Sequence, residues 1–150
     1  MTALHTLQEY VDALRGAGLL SECTVGGDLT RKAVDCFSYD NRAVSGTALF
    51  LCKGAHFKEE YLRDALARGA VAYVADHPYG VDAPRLVVSD IRHALVVLGR
   101  LYYNNVTDKL VTVGIPGTKG KSTTAYYMRY ILNDWLSGQG KPDCALISSI

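Results

Sequence analysis

The stretch GIPGTKGKSTT, residues 114 to 124, does most to limit what this chain can fold into. Gly114, Gly117 and Gly120 permit backbone conformations closed to other residues. Ahead of and into this stretch, Leu110, Val111, Val113 and Ile115 form a short apolar, β-branched run, the pattern of a buried strand. From Ser122 the period becomes helical: Ala125, Met128, Leu132 and Trp135 share one face, with Tyr127 and Ile131 beside them. Strand, Gly-rich turn, Gly-Lys-Ser and helix together make the layout of a phosphate-binding loop. Successive N–H groups and a helix N-terminus meet the phosphates, Lys121 supplies charge, and the Ser122 hydroxyl can coordinate Mg²⁺. The usual spacing asks for Gly five residues before the Gly-Lys pair, and Ile115 stands there between Gly114 and Gly117. A plain Gly-rich turn with a surface lysine is the alternative, but it has no need of Lys and Ser at those two places.

The rest of the chain sets bounds. At 150 residues it is long enough for one full domain and little more. An apolar share of 49% is that of a globular protein. With 16 basic and 15 acidic side chains the net charge is +1, which leaves no polyanion footprint and argues against nucleic acid as a partner. No apolar run reaches the roughly 18 residues of a membrane span. The opening MTALHTLQEYVDAL has charges and helical periodicity where a signal peptide needs an uninterrupted apolar stretch. Cys23, Cys36, Cys52 and Cys144 are widely spaced, as ordinary reduced thiols in a cytoplasm would be, and form no metal or disulfide pattern.

Leu4, Leu7, Val11 and Leu14 recur at helical spacing, and Gly16 or Gly18 ends that helix. CTVGG and AVDCFSYD predict short strands, and TALFLCK a third between the turns at Gly46 and Gly54. FKEEYLRDALARG predicts a helix with Tyr61, Leu62, Ala65 and Leu66 inward, stopped by Gly69. AVAYVAD and PRLVVSD are apolar strands, the first suited to burial on both faces. Asp90 is a candidate N-cap for a helix on which Ile91, Leu95, Leu98 and Tyr102 repeat. Alternating strands and helices predict an α/β sheet with helices packed on it. The polar, turn-prone NNVTD, residues 104 to 108, is the expected boundary, giving domains over 1–107 and 108–150.

GIPGTKGKSTT closely resembles the ATP loop of the Mur ligases, which use a Gly-Thr-x-Gly-Lys-Ser/Thr form shared with folylpolyglutamate synthetases. Pro116 stands where the family usually has Thr, and it removes an N–H donor. The first hundred residues resemble the UDP-binding domain of the branch that adds the third residue of the peptidoglycan peptide. The family pattern appears here as Asp40-Asn41-Arg42, Val44, Gly46, Leu49-Phe50, Lys53-Gly54 and Gly69-Ala70. Asn41 replaces the family's Ser. The resemblance covers nearly the whole chain, and the order of these pieces ahead of the loop carries it.

What the resemblance implies is specific. The fold is a Rossmann-like UDP-binding domain followed by the first β-α-β of a P-loop ATPase domain. Gly117, Thr118, Lys119, Gly120, Lys121, Ser122 and Thr123 bind ATP, with Ser122 toward Mg²⁺. Asn41, Arg42, Lys53, Gly54 and His56 face the nucleotide end of UDP-MurNAc-L-Ala-D-Glu, with Arg42 and Lys53 offsetting the diphosphate and His56 or Phe57 against the uracil. Taken alone, His56 reads as an exposed turn residue and Arg42 equally as an ion-pair partner. In the family a carboxylate is phosphorylated by ATP and an amine, here lysine or diaminopimelate, attacks the acyl phosphate. The metal-binding Glu and His, a carbamylated Lys, the adenine site and the amino-acid domain all lie downstream of the loop in the family. The chain is therefore expected to be a fragment without catalysis of its own, from a cytoplasmic, monomeric parent. A different Mur or folylpolyglutamate-type ligase, or a stand-alone nucleotide-binding module, are the alternatives.

Overall fold

Thr6 and Glu9 start the architecture. Thr6 Oγ1 accepts the Glu9 N–H at 3.4 Å, and the Glu9 carboxylate accepts the Thr6 N–H at 2.7 Å, so two donors that the helix leaves open are satisfied reciprocally. This cap ends the short strand β1 (His5–Thr6) and opens α1 (Leu7–Gly16). Gly18, in the left-handed region at φ +68°, turns the chain away after it. The computed structural model describes residues 4–54 and 56–148.

Beyond α1 come β2 (Leu20–Cys23), β3 (Ala33–Val34), β4 (Cys36–Ser38) and β5 (Ala48–Leu51). Then follow α2 (Glu59–Ala67), β6 (Ala70–Ala75), β7 (Arg85–Val88) and α3 (Ile91–Tyr102). The main sheet has the order β2-β7-β6-β5-β4. Its strands β4 to β7 are parallel, and β2 closes one edge antiparallel to β7. β1 and β3 form a separate antiparallel pair.

Both faces of the sheet are covered. Leu49, Leu51, Ala72, Val74, Leu86 and Val88 meet Leu7, Val11 and Leu14 of α1 and Ala94 and Leu98 of α3. Phe50, Tyr73 and Ala75 point the other way, onto Leu62 and Ala65 of α2. That is why β5 and β6 lack a polar alternation: neither face is wet. Each fully buried Leu or Phe here contributes about 1.5–3 kcal/mol of apolar transfer. Asp90 caps α3 by accepting from the N–H groups of Arg92 at 2.8 Å and His93 at 3.0 Å.

The strands differ in places from the sequence expectation. CTVGG contributes only Cys23, because Gly27 at φ +60° opens a 3-10 turn over Gly27–Arg31. AVDCFSYD breaks at Asp35: Val34 pairs with His5 in the small sheet, while Cys36 pairs with Ala48 in the large one. The chain changes sheets there, so one apolar run becomes two strands.

The chain divides into two compact units, Met1–Leu110 and Val111–Ile150. The second is built around α4 (Lys121–Ser137), which has no buried residue. The expected strand over Leu110–Ile115 is not formed, and neither is the expected strand over Cys144–Ile150 among its described residues. Positions 149 and 150 lie outside the described residues. The expected parallel pairing of the two segments is likewise not found. Strand structure requires a hydrogen-bonded neighbour, and these segments instead share α4: Val111, Val113 and Ile115, with Cys144 and Leu146, border a cavity of about 120 Å³ along Met128 and Leu132. The Asn133 side chain accepts the Cys144 N–H at 2.8 Å and ties the later segment to the helix.

Among the described residues no helix is long and apolar enough to cross a membrane. The four cysteines are free, and burial pushes the Cys52 thiol up.

Candidate functional site

The Gly-rich loop ends where α4 begins. Gly120 adopts the left-handed conformation at φ +74° as the residue before the helix, and no side chain caps that end. The N–H groups of the first turn are therefore left for an outside acceptor, and the aligned peptide dipoles favour that acceptor's being negative. Gly117, at φ +144°, lies where a Cβ would meet the Lys121 side chain at 3.6 Å and the Lys119 carbonyl at 3.7 Å. Those are ordinary contacts, so it is the backbone conformation and not the space that favours glycine here. Lys121 and the half-buried Ser122 border a cavity of about 200 Å³ with Val113, Ile115, Leu146 and Ser148. Thr118, Lys119 and Thr123 are exposed around it. An ammonium, a hydroxyl and open N–H donors at one helix start suit a phosphate with a divalent cation.

In the first unit, the turns after β4 and β5 lie at the carboxyl ends of adjacent parallel strands, where α/β sheets hold ligands. Asp40 begins a 3-10 turn over Asn41–Ala43 and accepts the Arg42 N–H at 3.0 Å. Its carboxylate also takes Arg42 Nε at 3.0 Å and Nη2 at 2.8 Å. The side-chain and backbone bonds from Arg42 hold Asp40 down at about 2, well below the usual carboxylate range. With its side chain 81% exposed, the guanidinium keeps its other N–H groups toward solvent.

Asn41 is occupied differently. Its amide donates to Asp64 Oδ2 of α2 at 2.6 Å, and Asp64 also accepts from Arg68 Nε at 2.8 Å. These bonds, Asn41's first, lower the Asp64 carboxyl. An amide reaches farther than a serine hydroxyl, and here that reach fastens the turn to a helix.

Lys53 and Gly54 follow β5, Gly54 at φ +131°, a conformation that favours glycine. Lys53 Nζ stands 5.5 Å from the ring centre of Tyr39, which joins the two turns by a cation–π contact. His56 is exposed in the following turn. The Phe57 ring is half-buried and packs against Phe50 at 6.3 Å, Tyr61 at 6.1 Å and Tyr79 at 5.4 Å. Sequence reasoning passed over Tyr39, an aromatic ring 61% exposed at this edge. Its position immediately before the Asp-x-Arg turn was the available signal.

No family model matches the chain. Among curated proteins it is 42% identical over 111 residues to the UDP-N-acetylmuramoyl-L-alanyl-D-glutamate--L-lysine ligase of Enterococcus faecalis, covering 73% of this chain and 22% of that protein. It is 37% identical over 131 residues to the ligase of the same name from Streptococcus pneumoniae, covering 85% and 27%. A UDP-N-acetylmuramyl-tripeptide synthetase of Lactobacillus delbrueckii subsp. bulgaricus is 38% identical over 125 residues, covering 82% and 23%. The chain thus spans about a quarter of the length of the curated relatives it matches. Solved structures share its fold. A crystal structure of MurF from Acinetobacter baumannii matches at TM-score 0.58 and 20% identity over 91% of this chain and 28% of that one. A UDP-N-acetylmuramoyl-L-alanyl-D-glutamate--2,6-diaminopimelate ligase matches at 0.59 and 22%, over 92% and 26%.

Proposed function

We propose, from this chain's membership of the Mur ligase family, that it carries the UDP-substrate-binding domain and the start of the ATP-binding domain of a peptidoglycan-precursor ligase. The parent enzyme adds the third amino acid, lysine or diaminopimelate, to UDP-MurNAc-L-Ala-D-Glu. The observation that carries this reading is the uncapped start of α4, with Gly120 in the left-handed region and Lys121 and Ser122 beside one cavity. The relatives' names supply the substrate.

In this reading residues 1–107 form the substrate domain, a Rossmann-like α/β layer structure, and 108–150 begin a P-loop domain. Gly117 to Thr123 hold the ATP phosphates through backbone N–H groups and Lys121, and Ser122 takes Mg²⁺. ATP supplies the phosphoryl group that activates the substrate carboxylate. The residues here bind and orient; the groups that act on the carboxylate and the amine belong to the remaining three quarters of the relatives' length. At the other site Arg42 and Lys53 offset the UDP diphosphate, Gly54 allows close backbone approach, and His56 and Tyr39 offer flat rings to the base. Asn41 positions the turn through Asp64.

Calorimetry of the 150-residue chain with MgATP, wild type beside Lys121→Ala, tests the loop. The variant should lose at least tenfold in affinity with an unchanged circular dichroism spectrum. Equal binding by both proteins would refute the assignment. In the substrate domain, NMR titration with UDP-MurNAc-dipeptide should move amides at residues 39–42, 53, 54 and 56, and shifts confined elsewhere would refute that site.

A further inference from the structure

We propose that Tyr39 is the positioning residue for Lys53: its ring holds the lysine's charge at the carboxyl end of the sheet without neutralising it, so that the charge meets the diphosphate of the nucleotide. The inference rests on the reading of this edge as the UDP site, and it gives Tyr39 a role that contact with a base does not include.

The two residues converge because β4 and β5 run parallel, with Ser38 opposite Phe50. Tyr39 is the next residue after β4, and Lys53 comes two residues after the end of β5, so both leave the sheet at the same end. Lys53 Nζ then stands 5.5 Å from the centre of the Tyr39 ring. What sets Lys53 apart is how the neighbouring cations are held. Arg42 donates through Nη2 to Asp40 at 2.8 Å, and Arg68 through Nε to Asp64 at 2.8 Å. Each of those pairs sums to no net charge. Among the described residues Lys53 forms no ion pair, and its contact is a neutral ring. A carboxylate fixes a cation by cancelling it, whereas a ring face attracts it through the quadrupole and leaves the charge whole. An ammonium on a flexible four-carbon stem otherwise spreads over many positions. The Tyr39 hydroxyl has no hydrogen-bond partner among the described residues, so the ring does the holding.

NMR titration of the full 150-residue chain with UDP and with uridine tests this, and the quantity read is the ratio of the two affinities. Lost stacking on the base weakens both ligands alike and leaves the ratio unchanged; a lysine no longer aimed lowers it. Tyr39→Leu should lower the ratio about two- to fivefold, the worth of a cation–π contact at an exposed site. Lys53→Gln should lower it at least as far, and Tyr39→Leu added to Lys53→Gln should lower it no further. Tyr39→Phe, which keeps the ring face, should keep the wild-type ratio. In the free wild-type chain the ring should shift the Lys53 ε-methylene protons upfield, a reading that needs no variant. Random-coil ε-methylene shifts, an unchanged ratio in Tyr39→Leu, a fallen ratio in Tyr39→Phe, or a further fall in the Lys53→Gln background would each overturn the inference while leaving UDP at this edge. UDP shifts confined to other turns would overturn the site reading, and the inference with it.

Discussion

Replacing Gly69 with alanine should be among the most damaging single-methyl additions in the first unit. Gly69 stands between α2 and β6 at φ +117°, outside the regions open to residues with a Cβ. Holding alanine there costs about 1–3 kcal/mol. The new Cβ would also sit 2.5 Å from the Gly46 carbonyl oxygen, closer than real Cβ contacts come. Gly46 has little room to withdraw. It is itself at φ +60°, with the Asp35 carboxylate packed where its own Cβ would be. The Gly69 carbonyl meanwhile accepts the Ala48 N–H at 3.3 Å at the start of β5, so movement of the turn disturbs the sheet. Forcing that shift adds about 1–3 kcal/mol. The sum, about 2–6 kcal/mol, is a large part of the roughly 5–15 kcal/mol that holds a domain folded. Urea unfolding followed by far-ultraviolet circular dichroism measures it, with Gly99→Ala as the control. Gly99 lies within α3 with nothing within 4 Å of where a Cβ would stand, so alanine there should be neutral or stabilising by up to about 1 kcal/mol. A loss below about 1 kcal/mol in Gly69→Ala, or equal behaviour of the two variants, would refute the reasoning.

Two further outcomes are expected. Arg42 lowers Asp40 from an ordinary 3.8 to about 2, and the folded value lies below the unfolded one, so this pair's contribution is complete above pH 4 and is lost as pH falls toward 2. Urea midpoints taken from pH 6 to pH 2 should decline less steeply in Asp40→Asn, and identical profiles would count against the pair; the effect is modest because both side chains are exposed. Amide exchange should be fast across residues 111–148 and slow in β5 and β6, since α4 buries no residue while β5 is buried throughout. Equal protection of the two regions in a monomeric sample would overturn that.

What could be read in advance depended on how local its cause was. The Asp90 cap, the stop at Gly69 and the doubly buried AVAYVAD strand each follow from a few adjacent residues, and the structure has them where the pattern put them. The break at Asp35 was not legible, because it comes from two partners, His5 and Ala48, more than ten residues away on either side. Val111 to Ile115 has the composition of a strand, but composition supplies no neighbour. The site divides the same way. Lys121, Ser122 and Gly120 can be read from spacing. The engagement of Asn41 with Asp64, 23 residues on, and the packing of Phe57 against three other rings depend on contacts that no short motif encodes. Tyr39 was passed over because one exposed tyrosine has no periodicity to announce it.

Every buried apolar side chain among the described residues lies between Leu7 and Leu98, and this has a consequence for how the protein is made. A chain leaves the ribosome from its amino end at about 5–20 residues per second. The stretch from residue 98 to residue 150 therefore takes roughly 3–10 s to synthesise, whereas domains of this size fold with rate constants of about 1–10⁵ s⁻¹. Once Tyr102 is free, nothing that packs into the first core is still to come. The sheet can close while the Gly-rich loop is still sheltered within the ribosome, so the nascent chain would present a finished first unit before that loop is exposed.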